Sequence, residues 1–244
     1  MDELNFEGKT ILVIGGSSGI GNGIARAFLR KGGIVHVTGT RQNASDYSAD
    51  DGSDLNGLHY ARLDVGGNGA VDDFSPSFQD LDILVLSQGA VLYKRAEFEM
   101  EGFRHVMEVN LMSLMACGIK FYPMLKRRRG ALIIVSSTAG FHSTMGNPAY
   151  NASKAGAVGL TRTLGEAWAQ DGIRVNGIAP GFVDTKMTKV TTENPKRLEA
   201  SLQSIPLRRL GTSDDMAGAA LFLASPLSSY IVGQTMIVDG GLVL

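Results

Sequence analysis

Tyr150-Asn151-Ala152-Ser153-Lys154 sets a phenol and an ammonium four residues apart, on one face of any helix that carries them. A free phenol has a pKa of about 10, too high for useful proton transfer at neutral pH. An ammonium one turn away favours the phenolate. The pattern therefore predicts a lowered Tyr150 pKa and a side chain able to give or take a proton at a carbonyl or alcohol oxygen. Such a pair on its own is usually a surface contact, so its company matters. Ser137 stands just past the apolar run at 131–135, where a parallel sheet presents its ligand-facing edge. Its hydroxyl can bond a substrate oxygen and hold it against Tyr150. Asn110 is a polar amide in an otherwise apolar helical stretch, readable as a water-bonded kink or as a relay through water to Lys154.

A second constellation is Gly15-Gly16-Ser17-Ser18-Gly19-Ile20-Gly21, lying between an apolar run and a helical pattern. Glycine lets a backbone approach a pyrophosphate, and a helix N-terminus offers unpaired N–H groups and partial positive charge. Asn22 follows Gly21, which excludes the Gly-Lys-Ser/Thr ending of a P-loop. The spacing also departs from G-x-G-x-x-G. Residues 15–19 formally read G-x-S-x-G, a hydrolase elbow with Ser17, but that elbow needs an acid and then a histidine downstream. The last histidine is His142 and none lies near the C-terminus, so the hydrolase reading is poor.

Both constellations need a scaffold. Strand-like runs at 10–14, 34–38, 58–63, 82–86, 131–135, 173–178 and 235–238 alternate with helical patterns at 20–30, 103–129, 150–170 and 213–224. The alternation predicts an α/β fold, a doubly wound parallel sheet with helices on both faces. Pro123 is expected to kink the long helix near its end. Residues 41–57 are polar and predict no full helix, and 66–79 leave room for only a short one. No composition break or repeat divides residues 1–244, which read as a single domain. Apolar side chains from Phe103 to Phe121 spread round much of the long helix, more than a sheet needs for cover. The surplus fits either a neighbouring subunit or further packing within one.

Composition removes several classes of function. With 44% hydrophobic and 19% charged residues the chain can fill a core, and its net charge of −1 argues against nucleic acid and anionic membranes as partners. The apolar runs are too short to span a bilayer, and the acidic start MDELNFEGK lacks the basic and apolar regions of a secretory signal. A cytoplasmic protein is expected. One cysteine, Cys117, rules out an internal disulfide framework, and the four histidines have no metal-ligand spacing, so no metal is expected. The basic run 126–129 suits a helix C-terminus better than a nucleic-acid or acyl-carrier surface.

Taken together, GGSSGIG, Asp64-Val65, Asn110, Ser137, YNASK and RVNGIAPGFVDT resemble the short-chain dehydrogenase/reductase family from Gly8 to Gly241. IPLRRLG with GQTMIVDGG resembles its 3-oxoacyl-(acyl-carrier-protein) reductase branch. The resemblance implies a Rossmann-type fold, a nicotinamide cofactor, a homotetramer and hydride transfer to or from a carbonyl or secondary alcohol. It implies a catalytic set of Asn110, Ser137, Tyr150 and Lys154, with Lys154 also on the nicotinamide ribose. Cofactor contacts would come from Gly15, Ser17, Ser18, Gly19, Ile20 and Gly21, and from Thr40 and Arg41. Asp64 and Val65 would join them, Asp64 at the adenine, with Gly89 after the fourth strand and Val183 and Thr185 at the carboxamide. Two departures stand out. Ile14 replaces the threonine usual before the first motif glycine, and Leu86-Ser87-Gln88-Gly89 replaces NNAG.

Cofactor choice is read at the end of the second strand. Gly39 stands where an acid would accept hydrogen bonds from the 2′-hydroxyl of NAD, and no carboxylate follows until Asp46. Thr40 and Arg41 can contact a 2′-phosphate instead, a preference of roughly 10–150-fold. NADP is expected rather than NAD. The intact catalytic set favours an enzyme over the alternative, a cofactor-binding sensor or scaffold without turnover.

Overall fold

The computed structural model describes residues 3–48 and 52–244. The strands are β1 (Thr10–Ile14), β2 (Ile34–Gly39), β3 (His59–Arg62), β4 (Ile83–Leu86), β5 (Ala131–Val135), β6 (Arg174–Pro180) and β7 (Thr235–Val238). They form one parallel sheet in the order β3-β2-β1-β4-β5-β6-β7, with Ile11 opposite Val35 on one side and Ile83 on the other. The α-helices are α1 (Gly19–Arg30), α2 (Ala70–Asp73), α3 (Met100–Met107), α4 (Ser113–Arg128), α5 (Pro148–Trp168), α6 (Lys189–Thr192), α7 (Pro195–Ser204) and α8 (Ser213–Ala224). This is the expected doubly wound, Rossmann-type arrangement.

Alternation along each strand divides the core in two. Ile11, Val13, Val35, Val37, Ile83, Val85 and Ile133 point to one face, where Ile24 and Phe28 of α1 and Met216 and Leu223 of α8 cover them. Leu12, Ile14, Leu84, Leu86, Leu132 and Ile134 point to the other, under Leu114, Phe121 and Leu125 of α4 and Leu164 of α5. Strands buried on both faces read as continuous apolar runs, which is why they were conspicuous in the sequence. The strand order reverses between β1 and β4. In open parallel sheets that switch point, at the carboxyl ends of the strands, is where ligands bind.

The long helical pattern is not one helix. It divides into α3, a π-helical turn at Glu108–Met112 and α4. The pattern divides at the π turn rather than at Pro123. α4 runs through Pro123, which is exposed, so the carbonyl deprived of its N–H partner is that of the exposed Ile119 and faces water. The surplus apolar residues also divide. Leu114 and Phe121 are buried, whereas Met112 and Ile119 remain 56% and 59% exposed on this chain. Between β2 and β3 the described residues form only the 3-10 turn Ala44–Asp46, and residues 49–51 lie outside the described residues. The crossover to β4 holds the four-residue α2, as its length predicted.

Three of the four cations of the basic run are paired within the chain: Lys126 with Asp171 at 2.7 Å, Arg127 with Asp80 at 3.3 Å and Arg128 with Asp82 at 3.1 Å. Among the described residues no helix is long and apolar enough to cross a membrane, and no His, Cys, Asp and Glu cluster could hold a metal ion.

Candidate active site

A cavity of about 530 Å³ opens at the carboxyl ends of the central strands, from the β1–α1 turn to Tyr150 and Lys154. Its floor exists because of glycine. Gly15 has a left-handed φ of +73°, and a Cβ there would lie 2.8 Å from the Gln88 nitrogen. A Cβ on Gly21 would lie 2.3 Å from the Gly15 carbonyl oxygen. The tight turn brings the first N–H groups of α1 to the cavity, where an anion would be favoured. Ile14 cannot make the bond of a threonine, but Thr38 of β2 does: its Oγ1 accepts from the Gly15 N–H at 3.3 Å.

At the other end, α5 carries Tyr150 and Lys154 on one face. Lys154 is buried and its Nζ donates to the Val135 carbonyl at 3.0 Å. Burial pulls its pKa down to about 8. The Nζ stands 5.7 Å from the centre of the Tyr150 ring. Tyr150 differs from expectation. Burial pushes its pKa above the ordinary value, and the hydrogen bond from Ser137 offsets only part of that. An ammonium on the same helix face does not outweigh desolvation of the phenolate. Ser137 lies at the mouth of β5 with its Oγ also accepting from the Ala139 N–H at 3.1 Å.

Asn110 sits in the π turn, completely buried. Its Oδ1 accepts from the Ala90 N–H at 2.7 Å, while Nδ2 donates to the Ala90 carbonyl at 2.8 Å and to Ser153 Oγ at 3.1 Å. A Cβ on Gly89 would be 3.7 Å from both Asn110 Oδ1 and Lys154 Nζ, so these groups converge behind that glycine. The departure at 86–89 has its own support: Gln88 Nε2 donates to Ser113 Oγ at 3.0 Å, tying β4 to the start of α4.

The cavity is lined by Gly15, Ser17, Ser18, Gly19, Ile20 and Gly21. Thr40, Asp64, Val65, Gly89 and Thr185 also line it. Arg41 and Val183 are placed elsewhere. Arg41 lies 4.7 Å over the Tyr47 ring and donates to the Asp46 carbonyl, whereas Val183 is buried in the core beside Gly211. Two residues went unnoticed in the sequence. Tyr47 brings its hydroxyl to Ser17, Thr40 and the Arg41 N–H, filling the space beside Gly39. Glu97 is buried next to the start of α5. Neither belongs to a periodic pattern, and both act across many residues of chain.

The geometry of a glycine-floored nucleotide cavity ending at a tyrosine and a lysine agrees with what this chain is similar to. The family model described as enoyl-(acyl carrier protein) reductase matches residues 14–243. The 3-oxoacyl-(acyl-carrier-protein) reductase of Chlamydia pneumoniae is 39% identical over 250 residues, covering 98% of this chain and 99% of that protein. The 2-dehydro-3-deoxy-D-gluconate 5-dehydrogenase of Bacillus subtilis is 37% identical over 247 residues, covering 98% and 96%. An Agrobacterium tumefaciens structure designated a 2-deoxy-D-gluconate 3-dehydrogenase, with bound NADP, superposes with a TM-score of 0.87 at 33% identity, covering 99% of each chain. The chain belongs to the short-chain dehydrogenase/reductase family and is an NAD(P)-dependent oxidoreductase of its 3-oxoacyl-(acyl-carrier-protein) reductase-like branch.

Proposed function

We propose that residues 1–244 form a single NADP(H)-dependent oxidoreductase domain that interconverts a carbonyl and a secondary alcohol, with Tyr150 as the general acid and base. The observation that carries this reading is the half-buried Tyr150 phenol, beside Ser137 and one helical turn from the buried Lys154, at the end of a cavity floored by the glycine turn. The residues fit a dinucleotide: glycine at 15 and 21 lets the turn close on the Gln88 and Gly15 backbones, which brings the first N–H groups of α1 to the cavity where a pyrophosphate would sit. Gly15, residues 17–21, Asp64, Val65, Gly89, Lys154 and Thr185 would hold it, and when bound it supplies or accepts the hydride.

The chain's own groups handle the oxygen. Ser137 donates a hydrogen bond to the substrate oxygen and sets it against Tyr150. In reduction the phenol gives its proton to that oxygen as negative charge develops there; in oxidation it takes the proton back. Lys154, a buried ammonium on the same helix face, stabilises the phenolate left behind. Asn110 completes the set by holding Ala90 and Ser153 beside Lys154.

NADP is favoured at the β2 end by the missing carboxylate. Gly39 has none, and Asp46 turns its own to the Asn43 N–H at 2.8 Å. Thr40 lines the cavity there, and Arg41 reaches a 2′-phosphate by leaving the Tyr47 ring. The relatives' names point to acyl-carrier and gluconate-type substrates, so the substrate is stated as a small-molecule carbonyl or alcohol. The exposed Met112 and Ile119 suit association into a homo-oligomer, a tetramer by family likeness, in the cytoplasm.

Purified protein assayed with NADPH and NADH against a panel of ketones and aldehydes tests the reading, with calorimetric titration of each cofactor alongside. Turnover with NADPH preferred is expected. Tight cofactor binding without turnover across the panel would replace the enzyme by a sensor or scaffold.

A further inference from the structure

Glu97 lies in the 3-10 turn Ala96–Phe98 between β4 and α3 and is completely buried. Its carboxylate accepts from three N–H groups. The Leu92 backbone N–H at 3.0 Å and Asn147 Nδ2 at 3.1 Å reach Oε1, and the backbone N–H of Tyr150 reaches Oε2 at 2.9 Å. A helix that starts with asparagine at its N-cap ordinarily uses that residue's side-chain oxygen to accept from the N–H three positions in. α5 does not. Asn147 is its N-cap without that bond, and its amide donates to the Leu92 carbonyl at 2.8 Å and to Glu97 instead. The N–H that Asn147 would have capped belongs to Tyr150, and a carboxylate 53 residues away takes it. Burying a carboxylate is costly, and the asparagine alone would satisfy the same N–H. Starting the helix therefore does not account for Glu97.

What Glu97 adds is a connection. Leu92 precedes Tyr93, whose hydroxyl donates to the Met187 carbonyl at 2.6 Å on a segment that lines the cavity. Two residues earlier, Asn110 holds both backbone groups of Ala90. The loop after β4 is thus pinned at Ala90 by Asn110 and at Leu92 by Glu97 and Asn147, and the second pin is fastened to Tyr150. We infer that Glu97 is a positioning residue that fixes the Tyr150 backbone against the loop after β4, a role that rests on the reading of Tyr150 given above.

Its charge acts as well. Burial is the largest cause raising the Tyr150 pKa, Ser137 lowers it, and Tyr93 and Glu97 raise it further; Lys154 is the cation on the same helix, and His105 and Lys186 line the cavity. A neutral amide at position 97 removes one upward push, so Tyr150 ionises at lower pH. The amide also turns an N–H₂ group either toward the Tyr150 N–H or toward both the Leu92 and Asn147 donors, loosening the pin whichever way it faces.

Glu97→Gln is expected to keep its NADPH Kd within about three-fold and lose roughly ten- to hundred-fold in kcat, as a misplaced catalytic group does. In alcohol oxidation, where the phenolate is the active form, the rising limb of its pH profile moves to lower pH. NMR of isotope-labelled tyrosine, with Tyr150 assigned by Tyr150→Phe, shows the same direction of shift. Glu97→Asp keeps the charge but shortens the reach, so it loses kcat without moving the limb. A folded Glu97→Gln with wild-type kcat and pH limb overturns the inference, as does one that only lowers Tm. Should Glu97→Gln not fold, Glu97→Asp with unchanged kcat overturns it equally. If Tyr150→Phe itself keeps more than about a tenth of wild-type kcat, the parent reading fails. Loss in Tyr150→Phe with none in either Glu97 variant defeats the inference about Glu97 alone.

Discussion

The two ends of the cavity are built by different rules. At the catalytic end, Lys154 and Asn110 are buried and Ser137 is bonded to its neighbours, each held by backbone groups of the sheet or its loops. At the β2 end, Thr40, Arg41 and Gln42 are exposed, and the Arg41 guanidinium rests on Tyr47. Proton transfer fails when atoms move by about an ångström, so its groups are embedded where strands and helices cannot shift. A cation recognising a phosphate tolerates a mobile side chain near water. Chemistry is placed in the core and choice of cofactor on the rim.

Tyr150→Phe strikes the embedded end hardest. It should lower kcat by roughly 10²–10⁴-fold, since general acid–base catalysis is removed, while NADPH binding measured by fluorescence stays near wild type. Retained turnover would place the proton donor elsewhere.

Lys154 reveals what embedding costs. Its folded pKa of about 8 lies below the ordinary 10.5, so between those values the unfolded chain binds more protons and stability rises with pH. Relative to Lys154→Met, the wild-type protein should gain up to about 3 kcal/mol across that window. Urea midpoints of both proteins, taken over a pH series, read the difference. A pH-independent gap would mean that the ammonium is not desolvated as described.

The rim answers more gently. Arg41→Ala should lower kcat/KM for NADPH by on the order of ten-fold and leave NADH unaffected. Installing an acid is harder than the sequence suggested, because a Cβ on Gly39 would lie 2.3 Å from the Tyr47 hydroxyl and 2.4 Å from Ser17 Oγ. Gly39→Asp alone should weaken both cofactors, whereas Gly39→Asp with Tyr47→Ala should turn the preference toward NADH. A wild-type enzyme that prefers NADH contradicts the assignment of this end. Arg127→Ala, which breaks the exposed pair with Asp80 and an exposed bond to the Gln79 carbonyl, should leave Tm and kcat unchanged within error, marking the floor of the scale.

Short-range pattern carried much of this into the sequence. Apolar β-branched runs marked the strands, the i and i+4 spacing put Tyr150 and Lys154 together, and the glycines after β1 announced a turn that no other residue could make. What escaped depends on residues distant in the chain. The direction of the Tyr150 shift is decided by burial, which spacing does not encode. Glu97 looked like one polar loop residue among several until the fold set it against Tyr150. Pro123 drew attention as the source of a kink, and its missing N–H falls on a solvent face, whereas the π turn around the buried Asn110 carried no such signal.

That π turn makes chain length between α3 and α4 a specified quantity. It accommodates one residue more than an α-helical turn would over the same rise. Removing any one residue of 108–112 would let the helix become regular with α3 and α4 still in phase, because the π turn winds about as far as an α-helical stretch one residue shorter. Val106 and Leu114 would keep their buried places, but the bulge that sets Asn110 against Ala90 would be lost. Substitutions on the exposed side of this segment should be absorbed, while a single deletion, however conservative in composition, should not. Here the count of residues, more than their kind, keeps the amide in phase with the lysine.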